Sequence, residues 1–200
     1  MAATTFTAKD VQELRRRTGA GMMDCKKALE ANDGDVEKAV EYLRKKGIAK
    51  AESRTGRATS EGMIGSYIHH NGKLGVIVEL NCETDFVART DDFQQLVRTI
   101  AEHIAAAAPL GVDKDSIPAD AVEKERRIAE DQARQSGKPD AIIQKMVEGK
   151  VESFYKEVAL LSQPWVREPK KTIADLIKEA SSKVGENIQV RRFVRFQLGE

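Results

Sequence analysis

Apolar positions at the start of the chain recur at helical spacing in three short bursts. Val11 and Leu14 lie on one stripe behind Thr7, a good N-cap, and Asp10 sits near the positive end of the helix they predict. Met22, Met23, Ala28 and Leu29 mark a second helix. Val36, Ala39, Val40 and Leu43 mark a third, with the i, i+3, i+4, i+7 stripe of a half-buried face. Between them, Thr18-Gly19-Ala20-Gly21 breaks the pattern with two glycines, and Asn32-Asp33-Gly34-Asp35 is a turn that leaves Asp35 as the next cap. These elements predict a small three-helix module over residues 1–45. The periodicity then fades. Arg44, Lys45, Lys46, Lys50, Arg54 and Arg57 face only Glu52, with Gly47 and Gly56 among them, so residues 46–60 read as a basic linker.

Period two follows. Two strand-like runs, Met63 to His69 and Leu74 to Asn81, flank His70-Asn71-Gly72-Lys73, and Asn-Gly is the strongest short hairpin signal. With Asn71 and Gly72 as the turn, Tyr67 pairs with Val76 and Gly65 with Val78. Met63, Tyr67, Leu74, Val76, Val78 and Leu80 then share a core face, and the other face carries Ile64, Ser66, Ile68, Ile77 and Glu79. That second face is partly apolar, which calls for a cover. The alternation stops at Cys82-Glu83-Thr84-Asp85-Phe86-Val87-Ala88-Arg89. A strong helix begins at Thr90 or Asp91, with Phe93, Leu96, Val97, Ile100 and Ile104 on one stripe, and Pro109 ends it.

A charged helix from Ala119 to Gln135 has little apolar surface and is expected to lie exposed; Gly137-Lys138-Pro139 breaks it. Another runs from Asp140 to about Leu161, with Ile143, Met146, Val147, Phe154, Val158 and Leu161 inward. Gln163-Pro164-Trp165 reads as extended, and Thr172 caps a helix carrying Ile173, Leu176, Ile177 and Ala180. The last segment alternates again. Ile188, Val190, Val194, Phe196 and Leu198 oppose Gln189, Arg191, Arg195 and Gln197, a strand that can join the hairpin in a small antiparallel sheet. The expected fold class is α+β, with residues 61–200 forming a core of sheet and packed helices.

Composition narrows the function classes. Lys and Arg number 33 against 32 Asp and Glu, a formal net charge of +1, which argues against a dedicated nucleic-acid binder. No apolar run approaches the ~18 residues of a membrane span. Met1-Ala2-Ala3-Thr4-Thr5-Phe6 lacks the basic start and apolar stretch of a signal peptide. Two cysteines, Cys25 and Cys82, make neither a disulfide framework nor a four-ligand zinc site, and a reducing cytoplasm is the expected location.

Enzymatic signatures are missing from the sequence. It contains no G-x-x-x-x-G-K-[ST] phosphate loop and no G-x-G-x-x-G opening a helix after a strand, so neither catalytic residues nor a cofactor or metal site is expected. A nucleophile pair of Cys82 with His69 or His70 fails on distance, because a strand of several residues at ~3.3 Å each separates them. Cys25 reads as a small buried side chain, and His103 as a satisfied or solvated one. Thr84-Asp85-Phe86-Val87 differs in kind, since it leaves a strand and sets a carboxylate beside a large aromatic ring in a turn. Two readings stand at this point. Asp85 caps a turn with Phe86 packed beneath it, or Phe86 protrudes as an anchor for a partner's pocket.

Two long segments resemble signatures of the bacterial translation elongation factor Ts family. One is Leu14-Arg15-x-x-Thr18-Gly19-Ala20-Gly21-Met22-Met23-Asp24-Cys25-Lys26-Lys27-Ala28-Leu29, and the other is Glu79-Leu80-Asn81-Cys82-Glu83-Thr84-Asp85-Phe86-Val87-Ala88. Ser136-Gly137-Lys138-Pro139, Lys145-Met146-Val147-Glu148-Gly149-Lys150 and Gln163-Pro164-Trp165-Val166 resemble stretches of the family's C-terminal core. The resemblance implies a nucleotide exchange factor for elongation factor Tu, the GTPase that carries aminoacyl-tRNA, with no covalent chemistry of its own. It also implies roles for particular residues. The loop matching Thr84, Asp85, Phe86 and Val87 enters the GTPase domain, where the phenylalanine wedges into an apolar pocket and the aspartate helps displace the Mg²⁺ site. The N-terminal module docks on the same domain through residues around Leu14, Arg15, Thr18, Gly19 and Met22, and His69 at the hairpin tip is a candidate contact to another domain.

This chain departs from the longer family members, which carry two related core modules. It has room for one. Gly65-Ser66-Tyr67-Ile68-His69 resembles the second module and Thr84-Asp85-Phe86-Val87 the first, so a symmetric homodimer across the sheet is expected, with no direct nucleic-acid or membrane partner. Two rival readings come from other classes. The N-terminal module is also similar to small ubiquitin-associated (UBA)-type bundles, which makes a helical adaptor conceivable but leaves Thr84 to Val87 unused. An RNA-associated protein would use Arg44 to Arg57 with Arg191, Arg192 and Arg195, without aromatic residues interleaved for stacking.

Overall fold

The structure is a computed structural model that describes residues 6–200; residues 1–5 of the expected N-terminal module, and the side chains of Ile48 and Lys50 in the basic run, lie outside the described set. The N-terminal helices are α1 (Ala8–Thr18), α2 (Met22–Ala31) and α3 (Val36–Glu52). Thr7 caps α1 in a reciprocal box with Asp10. Gly19 ends it at φ +68°, a left-handed angle open to glycine, and Asp35 caps α3 by accepting from the Lys38 N–H. Val11, Leu14, Cys25, Ala28, Leu29, Ala39 and Leu43 form the bundle core.

The basic linker expected over 46–60 is helical through Glu52. α3 leaves the bundle and lies along a later helix, α8 (Ile173–Val184). Its charges have partners far away in sequence: Arg44 with Glu179 at 2.9 Å, Lys46 with Asp24 at 3.1 Å, and Glu52 with Lys178 at 2.7 Å. Gly47 lies so close to α8 that an added Cβ would stand 2.4 Å from Ser182 Oγ. Arg54 donates to the Ser181 carbonyl and Arg57 pairs with Glu83. Arg44, Lys46, Arg54 and Arg57 are therefore each engaged within the chain.

The core domain is built on β1 (Glu61–Ile68) and β2 (Leu74–Cys82), with β5 (Gln189–Gln197) on the other side of β2, all antiparallel in the order β1-β2-β5. The register is the one the Asn-Gly turn predicts, Tyr67 opposite Val76 and Gly65 opposite Val78. Helix α5 (Asp91–Ala107), capped by Thr90, lays Phe93, Leu96, Val97, Ile100 and Ile104 over Val76, Val78 and Leu80. α8 adds Ile173 and Ile177 to the same cluster. Met63 shares this face but sits at its rim, 38% exposed.

β5 corrects the expected alternation. Glu79 faces Arg192 while Leu80 faces Val190, so Arg191 is an extra residue, a β-bulge. One inserted residue exchanges the faces of everything beyond it. Ile188 and Val190 stay buried, whereas Val194, Phe196 and Leu198 turn outward. They join Ile64, Ile68 and Ile77, and the outer face of the sheet becomes an exposed apolar surface interrupted by the Glu79–Arg192 ion pair at 2.7 Å.

Two further elements differ from expectation. Helix α6 (Ala119–Arg134) is not free, because its Ala129 and Ala133 pack against Val147 and Val151 of α7 (Asp140–Val158). A stripe of alanines escapes a search for large apolar residues yet lets two helices approach. Residues around Trp165 form a second small hairpin, β3 (Pro164–Trp165) with β4 (Glu168–Thr172). Beneath it His103, fully buried, points Nε2 at Gln163 Oε1 at 3.0 Å and accepts from the Val166 N–H at Nδ1. That geometry requires the neutral, Nε2-protonated ring, and burial correspondingly holds its pKa below the ordinary histidine value. His103 is thus a satisfied core residue.

Gly65 is what allows α5 to rest on β1. A Cβ there would lie 2.1 Å from Val97 Cγ1. Gly65→Ala is expected to cost about 1–3 kcal/mol through overpacking, read from the urea unfolding midpoint; a midpoint equal to the parent's would show that α5 lifts from the sheet without penalty.

Candidate functional site

Between the end of β2 and the start of α5 the chain makes one helical turn, α4 (Asp85–Ala88). Thr84 caps it, its hydroxyl oxygen accepting from the Val87 N–H at 3.4 Å. The cap is therefore Thr84 rather than Asp85. The reading in which Phe86 packs under the turn is also set aside, because Phe86 is 79% exposed. Val87 and Ala88 pack against the core and hold the back of the turn, while Asp85 and Phe86 face outward from it. The Asp85 carboxylate is not bare, since Arg89 one turn later meets it at 2.7 Å.

The root of the loop is fixed by polar contacts that the sequence did not announce. Glu186, in the turn between α8 and β5, accepts from the backbone N–H groups of Glu83 and Thr84 at 3.1 and 3.0 Å and from the Thr84 hydroxyl at 2.6 Å. In return, Glu83 accepts from the Asn187 N–H at 2.6 Å. Cys82 is buried and donates its thiol proton to the Thr84 carbonyl at 3.2 Å. Burial, and then the nearby Glu186 charge, push its pKa up to about 11, so it serves as a neutral hydrogen-bond donor and not as a nucleophile.

Of the N-terminal residues, Leu14 is fully buried in the bundle core and offers no contact surface of its own. Arg15, Gly19 and Met22 are exposed, Met22 at 42%, and Thr18 is half-buried with its hydroxyl donating to the Leu14 carbonyl. Gly19 lies against Lys183 at the end of α8, where an added Cβ would be 3.7 Å from Lys183 Cγ. Lys183 in turn meets Asp92, at the start of α5, at 2.7 Å. The Gly19 turn and the Asp85-Phe86 turn thus belong to the same end of the molecule. His69 belongs to the other end. β2 separates it from the loop by nine residues, roughly 25–30 Å of strand rise. It is half-buried with Nδ1 2.8 Å from the Tyr67 hydroxyl, and His70 is the more exposed of the pair.

A groove of about 550 Å³ lies between the Gly19–Gly21 turn, α3 and α8. Four of the cations lining it are ion-paired, Arg17 with Glu37, Arg44 with Glu179, Lys46 with Asp24 and Lys183 with Asp92, and a fifth, Arg54, donates to the Ser181 carbonyl. Among the described residues no group of three or more His, Cys, Asp and Glu side chains is placed to hold a metal ion, and no helix is long and apolar enough to cross a membrane. The site is a protruding aromatic and carboxylate on a braced turn. Because its ring makes little contact with its own chain, Phe86→Ala is expected to change stability by no more than about 0.5 kcal/mol; a clear drop in melting temperature would mean that the ring supports the fold.

A family model described as Elongation factor TS matches residues 4–200. The chain is 58% identical over 195 residues to the elongation factor Ts of Fervidobacterium nodosum, which covers 98% of this chain and 99% of that protein. It is 59% identical to that of Anaeromyxobacter sp. (strain K), covering 98% and 89% of the two chains, and 54% identical to that of Geobacter sulfurreducens, covering 98% and 91%.

Proposed function

The chain belongs to the elongation factor Ts family, the nucleotide exchange factors of elongation factor Tu, and from that premise we propose that it accelerates GDP release by driving the Asp85-Phe86 turn into the GTPase. The observation that carries this reading is a phenylalanine 79% exposed at the front of a turn whose back is packed into the core. An isolated exposed ring on a stiff support gains most when a partner buries it. By reciprocity, a factor that binds the nucleotide-free GTPase more tightly than the GDP form weakens GDP by the same ratio. Phe86 supplies apolar burial available only when the pocket opens. Asp85, after exchanging Arg89 for a new neighbour, brings a negative charge toward the Mg²⁺ that the GTPase and GDP share. No bond is made or broken, so this chain is not an enzyme in this reading. It acts in the cytoplasm and touches no nucleic acid directly.

Arg15, Thr18, Gly19 and Met22 form a second docking point on the same end of the molecule, with Leu14 shaping it from within the bundle. His69 contributes from the hairpin tip, its ring held by Tyr67. The chain works as a homodimer, its apolar sheet face of Ile64, Ile68, Ile77, Val194 and Phe196 covered by a second copy and the Glu79–Arg192 pairs near the centre.

Release of a fluorescent GDP from elongation factor Tu tests the wedge. Phe86→Ala is expected to slow factor-dependent release roughly ten- to a hundredfold, the worth of an apolar side chain of ~1.5–3 kcal/mol, and Asp85→Ala less. The reverse order of effects would assign the main work to the Mg²⁺ site. Sedimentation tests the dimer, which is expected to give twice the chain mass at micromolar concentration and to fall apart in Ile77→Lys. A monomer, alone and with the GTPase, would rule it out.

A further inference from the structure

The Asp85-Phe86 turn is braced from a part of the chain about a hundred residues away, and the brace is reciprocal. The Glu186 carboxylate takes two backbone N–H groups and one hydroxyl from Glu83 and Thr84, while the Glu83 carboxylate takes the backbone N–H of Asn187 and pairs with Arg57 at 3.5 Å. Asn187, itself buried, donates its side-chain amide to the Arg57 carbonyl at 3.0 Å. The turn bearing Glu186 is fixed in its own right. Gly185 ends α8 at φ +83°, and the Ser181 hydroxyl donates to the Glu186 carbonyl.

The Thr84 hydroxyl links this brace to the working residues. Its proton goes to Glu186 Oε1 at 2.6 Å, which turns a lone pair of the same oxygen toward the Val87 N–H it caps. One hydroxyl therefore has its donor and one of its two acceptor lone pairs committed, which ties the cap of α4 to Glu186. Val87 and Ala88 pack on the core behind the turn, and the polar brace holds the residues Glu83 and Thr84 that lead into Phe86. Hydrogen bonds to a carboxylate are shorter and stronger than neutral ones, which suits a constraint that must hold while a partner pushes on the ring.

We propose that Glu186 is a positioning residue of the exchange reaction, holding Phe86 at the angle from which it enters the GTPase. The proposal rests on the wedge reading of Phe86. It predicts a particular kinetic signature. The N-terminal turn still docks when Glu186 is lost, so encounter with the GTPase·GDP complex is preserved, but a loosened wedge delivers less of its burial at the moment GDP leaves.

The test is the release rate of fluorescent GDP from elongation factor Tu, followed against factor concentration. Glu186→Ala is expected to lower the plateau rate roughly tenfold, within what a misplacement of about 1 Å costs a positioned group, and to leave the half-saturating concentration within about threefold. Glu186→Gln is expected to restore most of the plateau, because its amide oxygen accepts the two backbone N–H groups and its NH₂ donates to the Thr84 oxygen. In the Phe86→Ala background, Glu186→Ala should slow release no further, since nothing remains to be aimed. A parent-like plateau in Glu186→Ala, beside a slow Phe86→Ala, overturns the proposal and leaves the wedge intact. Losses that add in the double variant, or that Gln does not relieve, assign Glu186 to general stability and overturn it as well. A harmless Phe86→Ala removes the wedge reading, and the proposal with it. Melting temperatures accompany each variant; if Glu186→Ala does not fold, Thr84→Val, which removes the hydroxyl between Glu186 and α4, takes its place in the same cycle with the same expected drop.

Discussion

The contact on which the rest of the molecule depends is the seating of α5 on β2. Val76, Val78 and Leu80 go inward beneath Phe93, Val97 and Ile100, and Gly65 removes the one side chain that would hold the helix off the neighbouring strand. Once that face is buried, strand geometry sends the intervening residues to the opposite side, where Ile77 and Glu79 stand. It also fixes both ends of the short connection between Cys82 and Asp91. A chain pinned at both ends over so few residues has little freedom left, and what it forms is a single capped turn. The exposed phenylalanine is a product of that closure. The sheet, the helix and the proposed wedge are one construction.

Two buried groups with chemistry to offer, His103 and Cys82, are held in neutral forms. His103 is locked in one tautomer by Gln163 and Val166, and Cys82 keeps its proton for the Thr84 carbonyl. What the fold invests in is shape at one end, an aromatic ring presented to solvent at conformational cost already met on folding. A molecule that works by changing a partner's affinity for its ligand needs differential binding energy, and a preorganised apolar projection is a direct way to provide it.

Much of this was legible in local sequence, and the rest was not for identifiable reasons. Caps at Thr7, Asp35, Thr90 and Thr172, and the hairpin register set by Asn71-Gly72, are short-range features whose physics is complete within a few residues. The bulge at Arg191 was hidden because alternation continues on both sides of it. Apolar residues at even positions suit one face before the bulge and the other after it, and only the pairing to Glu79 and Leu80 tells them apart. The helical second half of α3 was unreadable because its partners, Glu179, Lys178 and Ser182, lie more than a hundred residues on; alone, those basic residues look solvated. Glu186 carries no signal of its own, being a surface-type residue behind a glycine. At the site itself, Asp85 and Phe86 stood out because they interrupt a pattern, whereas Leu14 lies both in a motif and on the apolar stripe of its helix, and is interior.

The continuity of α3 has a geometric consequence. Its 17 residues make a rod of about 25 Å, clamped at one end within the bundle and along the other to α8. The Gly19 turn and the Phe86 turn are thereby mounted on one frame, with Lys183 of α8 lying against Gly19 and meeting Asp92 at the start of α5. If both turns meet the GTPase as proposed, such a frame behaves as a calliper. A partner whose two receiving surfaces stand at the matching distance engages both jaws, the second contact forming at the high effective concentration set by the first. A partner whose surfaces have moved closer or further apart is held by one jaw only. On the proposed reading, in which both turns dock on the GTPase, selection among its conformations is made by length, before any individual contact is compared.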